Sequence, residues 1–368
     1  MEAEVAMLCS HGHSVQQFLR NNDALHKMSR ANAAVHTIWS IEAERAFEAL
    51  VRSFKPDLVH VHNTFALISP AIYWVTSRLH VPVVQTLHNF RLLCPQAMFL
   101  RDGKVCEDCL GKVPWRGAVR GCYRDSKLQS TVLAGMLTLH RAIGTWQNKV
   151  TRYIALNEFC RCKFIEGGLP AERIVVKPNF VDFEAPVHFD RSGFLFVGRL
   201  SVEKGIDVLV GAANALSNSC IRVAGTGPEV ARLADAKGMT TLGALGIDAI
   251  KTEMSHAVAL ILPSIWYENF PRTLVEAFAS CLPVIASRLG ALADLVTEGV
   301  TGLLFEPGDS RDLAKKMLWA QQHPDQMAEM GRNARALYEA EFTAERNYQQ
   351  LMAIYDGAVY EVSGKATL

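Results

Sequence analysis

The chain has 368 residues, is 49% hydrophobic and carries a formal net charge of +1, so it can bury two cores of ordinary domain size and has no global basic field to recruit nucleic acid. Its nine cysteines are odd in number and unevenly spread, which disfavours a secreted disulfide scaffold. No apolar run reaches the roughly 18–20 residues that cross a bilayer and no charged-then-apolar leader opens the sequence, so a cytoplasmic protein is expected.

From the amino terminus, residues 2–8 read as a helix with no strand ahead of it. Short apolar, β-branched runs then read as strands at 58–63, 81–88, 153–157 and 174–178, with helical patterns between them. Pro178 and Pro186 bracket an aperiodic stretch at 179–189, where a domain boundary is expected. The alternation resumes with strands at 194–199, 220–224, 240–243, 258–263, 283–286 and 302–305, and helical periodicity from 310 to about 362 closes the chain. Strands alternating with helices imply parallel sheets covered on both faces. The expected fold class is α/β, with two Rossmann-like doubly wound domains at 1–182 and 190–342, and a closing helix at 343–368 packing back toward the first.

Ligands in doubly wound folds bind beyond the carboxyl ends of the strands, so residues there are the first candidates. Arg199 and Lys204, in the run GRLSVEKG after the strand 194–199, are two cations beside a helix start and could neutralise a diphosphate. A surface ion-pair loop is the alternative. Gly225 and Gly227, in AGTGP, would let backbone approach a ligand or simply make a tight turn, and the missing third glycine argues against a dinucleotide fingerprint. The run ENFPRTLVE places Glu268 in a loop and Glu276 inside a helix that Pro271 opens. Free N–H groups around Thr273 and Leu274 would make an anion pocket, and carboxylates accept sugar or ribose hydroxyls well. The alternative is a surface helix with two solvated glutamates. His88 closes the strand 81–88 and is either a donor in a ligand site or a satisfied structural group, and His60 and His62 end another strand by the same logic.

Two further patterns lie in the long connection 90–126. Cys94, Cys106, Cys109 and Cys122 have the spacing of a four-thiolate structural zinc site, which would organise a loop otherwise lacking regular structure; buried reduced thiols or a disulfide are the alternatives. Trp115, Arg116, Arg120, Tyr123 and Arg124 mix aromatic and basic side chains. They could dock an anionic membrane surface or the diphosphate of a lipid-linked acceptor, or form a solvated basic face.

Taken together, the loop 198–205, the turn 225–228, the Glu268/Glu276 pair and the strand-end His88 resemble, in order and spacing, the retaining glycosyltransferases of family 4, which have the GT-B fold. The resemblance runs from residue 1 to about 360. It implies a carboxyl-terminal domain that binds a nucleotide-sugar donor, an amino-terminal domain that binds the acceptor, and a reaction in the cleft between them that needs no metal. Carried over by motif position, Arg199 and Lys204 bind the donor diphosphate. Glu268 accepts the sugar hydroxyls, with the N–H groups of Asn269, Phe270 and Arg272 nearby, and Glu276 holds the ribose. His88 sits by the transferring sugar, and Gly225 and Gly227 line the nucleotide side. The implied function is transfer of a hexosyl group from a UDP-, GDP- or ADP-sugar to a glycan or lipid-linked oligosaccharide in cell-surface polysaccharide synthesis, in the cytoplasm or at the inner face of the cell membrane. A nucleotide-sugar epimerase on the same fold, or a non-catalytic nucleotide-sugar-binding relative, are the alternatives. One feature departs from the family pattern: the first strand and its Gly-rich loop are absent from the sequence, which bears on acceptor binding.

Overall fold

A computed structural model describes residues 2–21, 23, 28–183, 190–216, 220–233 and 236–364. Positions 184–189 of the expected boundary lie outside the described residues. The chain divides into two compact units, one made of Met1–Phe99, Glu107–Lys177 and Tyr348–Leu368, the other of Leu100–Cys106 and Pro178–Asn347.

The first unit opens on the helix Glu2–Ser10. Strands β1 (Val59–Val61) and β2 (Val83–Thr86) follow. After them come β3 (Leu100–Arg101) and β4 (Lys104–Val105), and then β5 (Arg152–Ala155) and β6 (Ile174–Val176). β1, β2, β5 and β6 form one parallel sheet in that order, paired Val59 to Val83, Val84 to Arg152 and Tyr153 to Ile174. β2 is buried along its whole length, as a parallel strand covered on both faces must be.

Two expectations need correcting here. The strand 81–88 is shorter than read, so His88 lies two residues beyond β2 and not at its end. The connection 90–126 is not devoid of regular structure either. β3 and β4, which belong to the second unit, pair as an antiparallel hairpin. Asp102 and Gly103 both have positive φ, the requirement of the tight turn that joins twisted strands. A helix at Trp115–Arg120 then ends where Gly121 adopts the left-handed conformation at φ 68°.

The second unit contains β7 (Phe194–Val197), β8 (Ile221–Ala224), β9 (Met239–Gly243), β10 (Ala259–Leu262), β11 (Val284–Ser287) and β12 (Gly302–Phe305). All are parallel, in the order β9-β8-β7-β10-β11-β12. The chain therefore winds outward one way from β7, returns, and winds the other way from β10. Alternate side chains feed two separate cores. Phe194, Phe196, Ile261 and Ile285 pack on one face, and Leu195, Leu260, Leu262, Val284 and Ala286 on the other. Burial of both faces explains the continuous apolar runs of strands such as β10 and β12.

That order has a consequence for function. Where the winding direction reverses, the helices that follow β7 and β10 pack on opposite faces of the sheet, and the carboxyl edge there is the place where doubly wound folds bind ligands.

Candidate active site

The loop after β7 carries Arg199 and Lys204, and the loop after β10 carries Glu268. Backbone holds these two loops together. Ile265 N–H donates to the Glu203 carbonyl at 3.0 Å. Gly205, at φ 73°, approaches so closely that a Cβ there would sit 1.9 Å from the Pro263 carbonyl oxygen, so only glycine can occupy the position.

Across this junction the Lys204 ammonium donates to Glu268 Oε1 at 2.7 Å. The same oxygen accepts from Ser264 Oγ at 2.7 Å and from Trp266 Nε1 at 3.1 Å. Glu268 is 6% exposed; a buried carboxylate is tolerable only with such donors around it. The Lys204 ammonium also lies 5.7 Å from the centre of the Trp266 ring, within the range of a cation–π attraction. Ser264 and Trp266 are candidate site residues that sequence reasoning missed, although both follow the end of β10 within the loop that delivers Glu268.

The helix that follows spans Arg272–Ala279, with Pro271 as its N-cap. Pro271 therefore stands just outside the helix and not at its first position. Leu274, Val275, Ala277 and Phe278 are fully buried in the core on one face of the sheet, which fixes the helix against β10 and β11. The expected free N–H at Leu274 is corrected: it donates to the Pro271 carbonyl at 3.0 Å, closing the first turn. Phe270 packs against this core, with its ring centre 6.3 Å from that of Phe342. Asn269 is buried and Thr273 half-buried.

One turn into the helix, Glu276 is 5% exposed and accepts from Arg272 Nε at 2.8 Å. Burial pushes its carboxyl above the ordinary glutamate range, against the Arg272 charge, which pulls it down. Arg199 is exposed at the mouth of the β7 loop.

Gly225 and Gly227 have a packing role. Gly225 N–H donates to the Gly243 carbonyl at 2.7 Å, and Leu200 N–H to the Thr226 carbonyl at 2.9 Å. A Cβ on Gly225 would lie 1.8 Å from the Gly198 oxygen, and one on Gly227 2.2 Å from the Leu200 oxygen. The two glycines thus let the loop after β8 lie directly on the loop that carries Arg199.

In the first unit, His88 and His62 share a hydrogen bond, Nε2 to Nδ1, at 2.8 Å. Their rings are stacked with centres 5.1 Å apart. Burial lowers both basicities, His88 to about 4 and His62 to about 3, so neither ring is charged at neutral pH. Two neutral imidazoles fit this contact, one donating and the other accepting.

Residues 3–185 match the model of Glycosyltransferase Family 4 and residues 183–337 that of Glycosyl transferases group 1. The chain belongs to the glycosyltransferases of family 4. It is 24% identical to a sulfoquinovosyl transferase of Arabidopsis thaliana over 73% of this chain and 50% of that protein. It is 33% identical to a D-rhamnosyltransferase of Pseudomonas aeruginosa over 41% of this chain and 42% of that protein. The chain thus spans about half the length of the curated relatives it matches. Among solved structures, Anabaena HepE in complex with UDP-glucose aligns with a TM-score of 0.65 at 19% identity, over 94% of this chain and 87% of that one. At that identity the likeness speaks to the fold, and the fold is GT-B, with Rossmann-like parallel sheets in both units.

Cys94 and Cys109 are buried, and Cys106 and Cys122 half-buried. Trp115 is 57% exposed, beside Val113 and Val119 at 56% and 60%. Arg116 and Arg120 both pair with Asp108, at 3.4 and 2.5 Å.

Proposed function

We propose that this chain transfers a hexosyl group, with retention, from a nucleotide sugar to a glycan or lipid-linked oligosaccharide of the cell surface. The observation that carries the reading is the meeting of Lys204 and Glu268 where the winding of the sheet reverses, with buried Glu276 one helical turn beyond. Sugar transfer passes through an oxocarbenium-like state while negative charge grows on the departing diphosphate. Lys204 and Arg199 are the cations for that charge, and the start of the helix Ile206–Ala215 adds its positive end. Glu268 accepts hydroxyls of the donor sugar and Glu276 those of the ribose, with Asn269, Phe270, Pro271, Thr273 and Leu274 shaping the loop and helix start between them. Gly225 and Gly227 border the nucleotide. By family position His88 is assigned to the transferring sugar. In this reading the leaving phosphate helps to deprotonate the acceptor and the transfer needs no metal.

UDP is the first donor base to test, because HepE, of the same fold, was solved with UDP-glucose. Thermal-shift titration of UDP-, GDP- and ADP-sugars, followed by a donor hydrolysis assay, tests the reading. Stabilisation by one donor, lost in Glu276→Ala, supports it; no shift with any donor, in a chain that unfolds cooperatively, rejects it.

Two accessory features belong to the same proposal. The exposed Val113, Trp115 and Val119, flanked by Arg116, Arg120, Tyr123 and Arg124, suit a peripheral contact with an anionic membrane. No described helix is long and apolar enough to cross one. Flotation with anionic vesicles at low salt, abolished by Trp115→Ser, is the expected result, and no flotation of the intact chain removes the contact. The spacing of Cys94, Cys106, Cys109 and Cys122 suits structural zinc. Less than about a tenth of a zinc per chain, in protein purified without chelator, would rule it out.

A further inference from the structure

A second group of metal-type ligands lies in the first unit, away from the cysteines. Glu4, on the helix Glu2–Ser10, faces His60 in β1 and His62 just after it. Glu4 Oε1 lies 3.9 Å from His60 Nδ1, and Glu4 Oε2 lies 3.6 Å from His62 Nε2. One ligand atom from each residue can be chosen so that all lie within 4.8 Å of one another. All three side chains are at least 84% covered, with 14%, 10% and 16% exposed for Glu4, His60 and His62.

The outward-facing bonds of both rings prepare the inward atoms to act as ligands. His60 Nε2 is 2.7 Å from Thr86 Oγ1, and His62 Nδ1 is 2.8 Å from His88 Nε2. If those nitrogens carry the protons, Nδ1 of His60 and Nε2 of His62 present lone pairs to the carboxylate, which is the arrangement of histidines that bind metal. At His62 a ring lone pair then faces a carboxylate lone pair, whereas His60 Nδ1 accepts from the Tyr355 hydroxyl. Glu4 Oε1 is buried and has no hydrogen-bond partner, an omission that is costly unless something fills it. The separations discriminate between occupants. A bridging water holds its partners about 4.5 Å apart at ordinary hydrogen-bond lengths, whereas ligands of a tetrahedral zinc sit about 3.3 Å apart. The 3.6 Å separation at His62 is nearer the second, and the 3.9 Å at His60 lies midway between the two. The three residues also line a cavity of about 610 Å³, together with Val5, Leu8 and Tyr355, which gives an ion a way in.

We propose that Glu4, His60 and His62 bind a divalent transition-metal ion, zinc by the chemistry of two imidazoles and one carboxylate. The ion ties the first helix to the end of β1. Through His62 it also fixes the ring that bonds His88, as a positioning effect and not as part of the transfer chemistry. Two groups oppose it. The Tyr355 hydroxyl, 2.6 Å from His60 Nδ1, must give up that bond, and the Lys177 ammonium, 4.0 Å from Glu4 Oε1, competes as a counter-charge.

The test is cobalt titration of the chelator-stripped, untagged full chain, read by visible and near-ultraviolet absorption. Thiolate ligation gives an intense near-ultraviolet charge-transfer band, so ions held by cysteine and by nitrogen and oxygen are told apart. The expected result is one ion per chain without that band, kept in Cys106→Ser and lost in Glu4→Gln, with circular dichroism showing Glu4→Gln folded. Lys177→Met should tighten the binding several-fold. Should Glu4→Gln not fold, His62→Asn replaces it. Cobalt bound only with the thiolate band, no binding below millimolar concentration, or binding unchanged by both variants overturns the site. In the second case the Lys177 ammonium is the counter-charge that Glu4 needs.

Discussion

Lys204 and Glu268, 64 residues apart in sequence, meet at 2.7 Å where the loops after β7 and β10 come together. Each is the other's counter-ion across the point where the winding of the sheet reverses. A cation there is placed to take up the charge that grows on a departing diphosphate. Lys204→Ala should therefore cost about 2–4 kcal/mol in the transition state, roughly 30- to 900-fold in kcat/KM. Steady-state kinetics with the identified donor check this, and wild-type rates would remove Lys204 from the site.

Glu268→Ala should lower kcat by about 100-fold or more, since a contact to the reacting sugar is lost. The variant also strands Lys204 without its anion. Trp266→Phe keeps the ring and removes only the donor at 3.1 Å, so its loss should be near tenfold at most, about the worth of one hydrogen bond to a charged group. A Trp266→Phe variant as impaired as Glu268→Ala would show that the indole does more than hold the carboxylate.

Donor affinity should depend on pH through Glu276. Burial raises its carboxyl, so the ionised form that accepts ribose hydroxyls disappears as pH falls through a value above the ordinary glutamate range. Affinity measured by calorimetry should be constant near neutrality and weaken on acidification. Glu276→Gln should weaken binding about tenfold or more and flatten that dependence. The sign for stability is opposite: a raised carboxyl pKa means the folded state holds the proton more tightly, so stability is lost as pH rises through it. In the absence of donor, Glu276→Gln should accordingly melt no lower than wild type at neutral pH, provided loss of the Arg272 pair is the smaller effect. A pH-independent donor affinity in the wild type contradicts the ribose assignment.

Gly225→Ala should be severely destabilising, by about 3 kcal/mol or more, because its Cβ would fall 1.8 Å from the Gly198 oxygen. Gly246→Ala is the control. Nothing lies within 4 Å of its would-be Cβ, and its effect should stay within about 1 kcal/mol. Urea denaturation of the two variants tests the contrast; equal stabilities would mean that the β7 and β8 loops can part cheaply.

Strands such as Ala259–Leu262 and Gly302–Phe305 were legible because they are buried on both faces and apolar throughout. Their ends were not, since hydrophobicity continues past the last paired residue, Thr86, to Leu87 before His88. The hairpin at 100–105 escaped notice because two-residue strands carry no periodicity, although Asp102-Gly103 was a turn signal in plain view. Lys204 and Glu268 were singled out in the sequence as candidates, and their roles came from the family resemblance. Their direct contact, and the support from Ser264, depend on which loops the strand order brings together. The capture of the Leu274 N–H by the Pro271 carbonyl is local, yet it turns on Pro271 being the N-cap and not the first helical residue, a difference of one position.

With Oε1 of Glu268 gripped by Lys204, Ser264 and Trp266, the carboxylate has lost its freedom to spin before any sugar arrives. Its orientational entropy is spent in folding, not in binding. A hydroxyl that approaches Glu268 must then match an acceptor whose direction is already set. If Glu268 receives the donor sugar as proposed, two sugars differing only in the configuration of one carbon would meet the same fixed carboxylate at different angles, and substitution at this side chain should alter discrimination between such epimers.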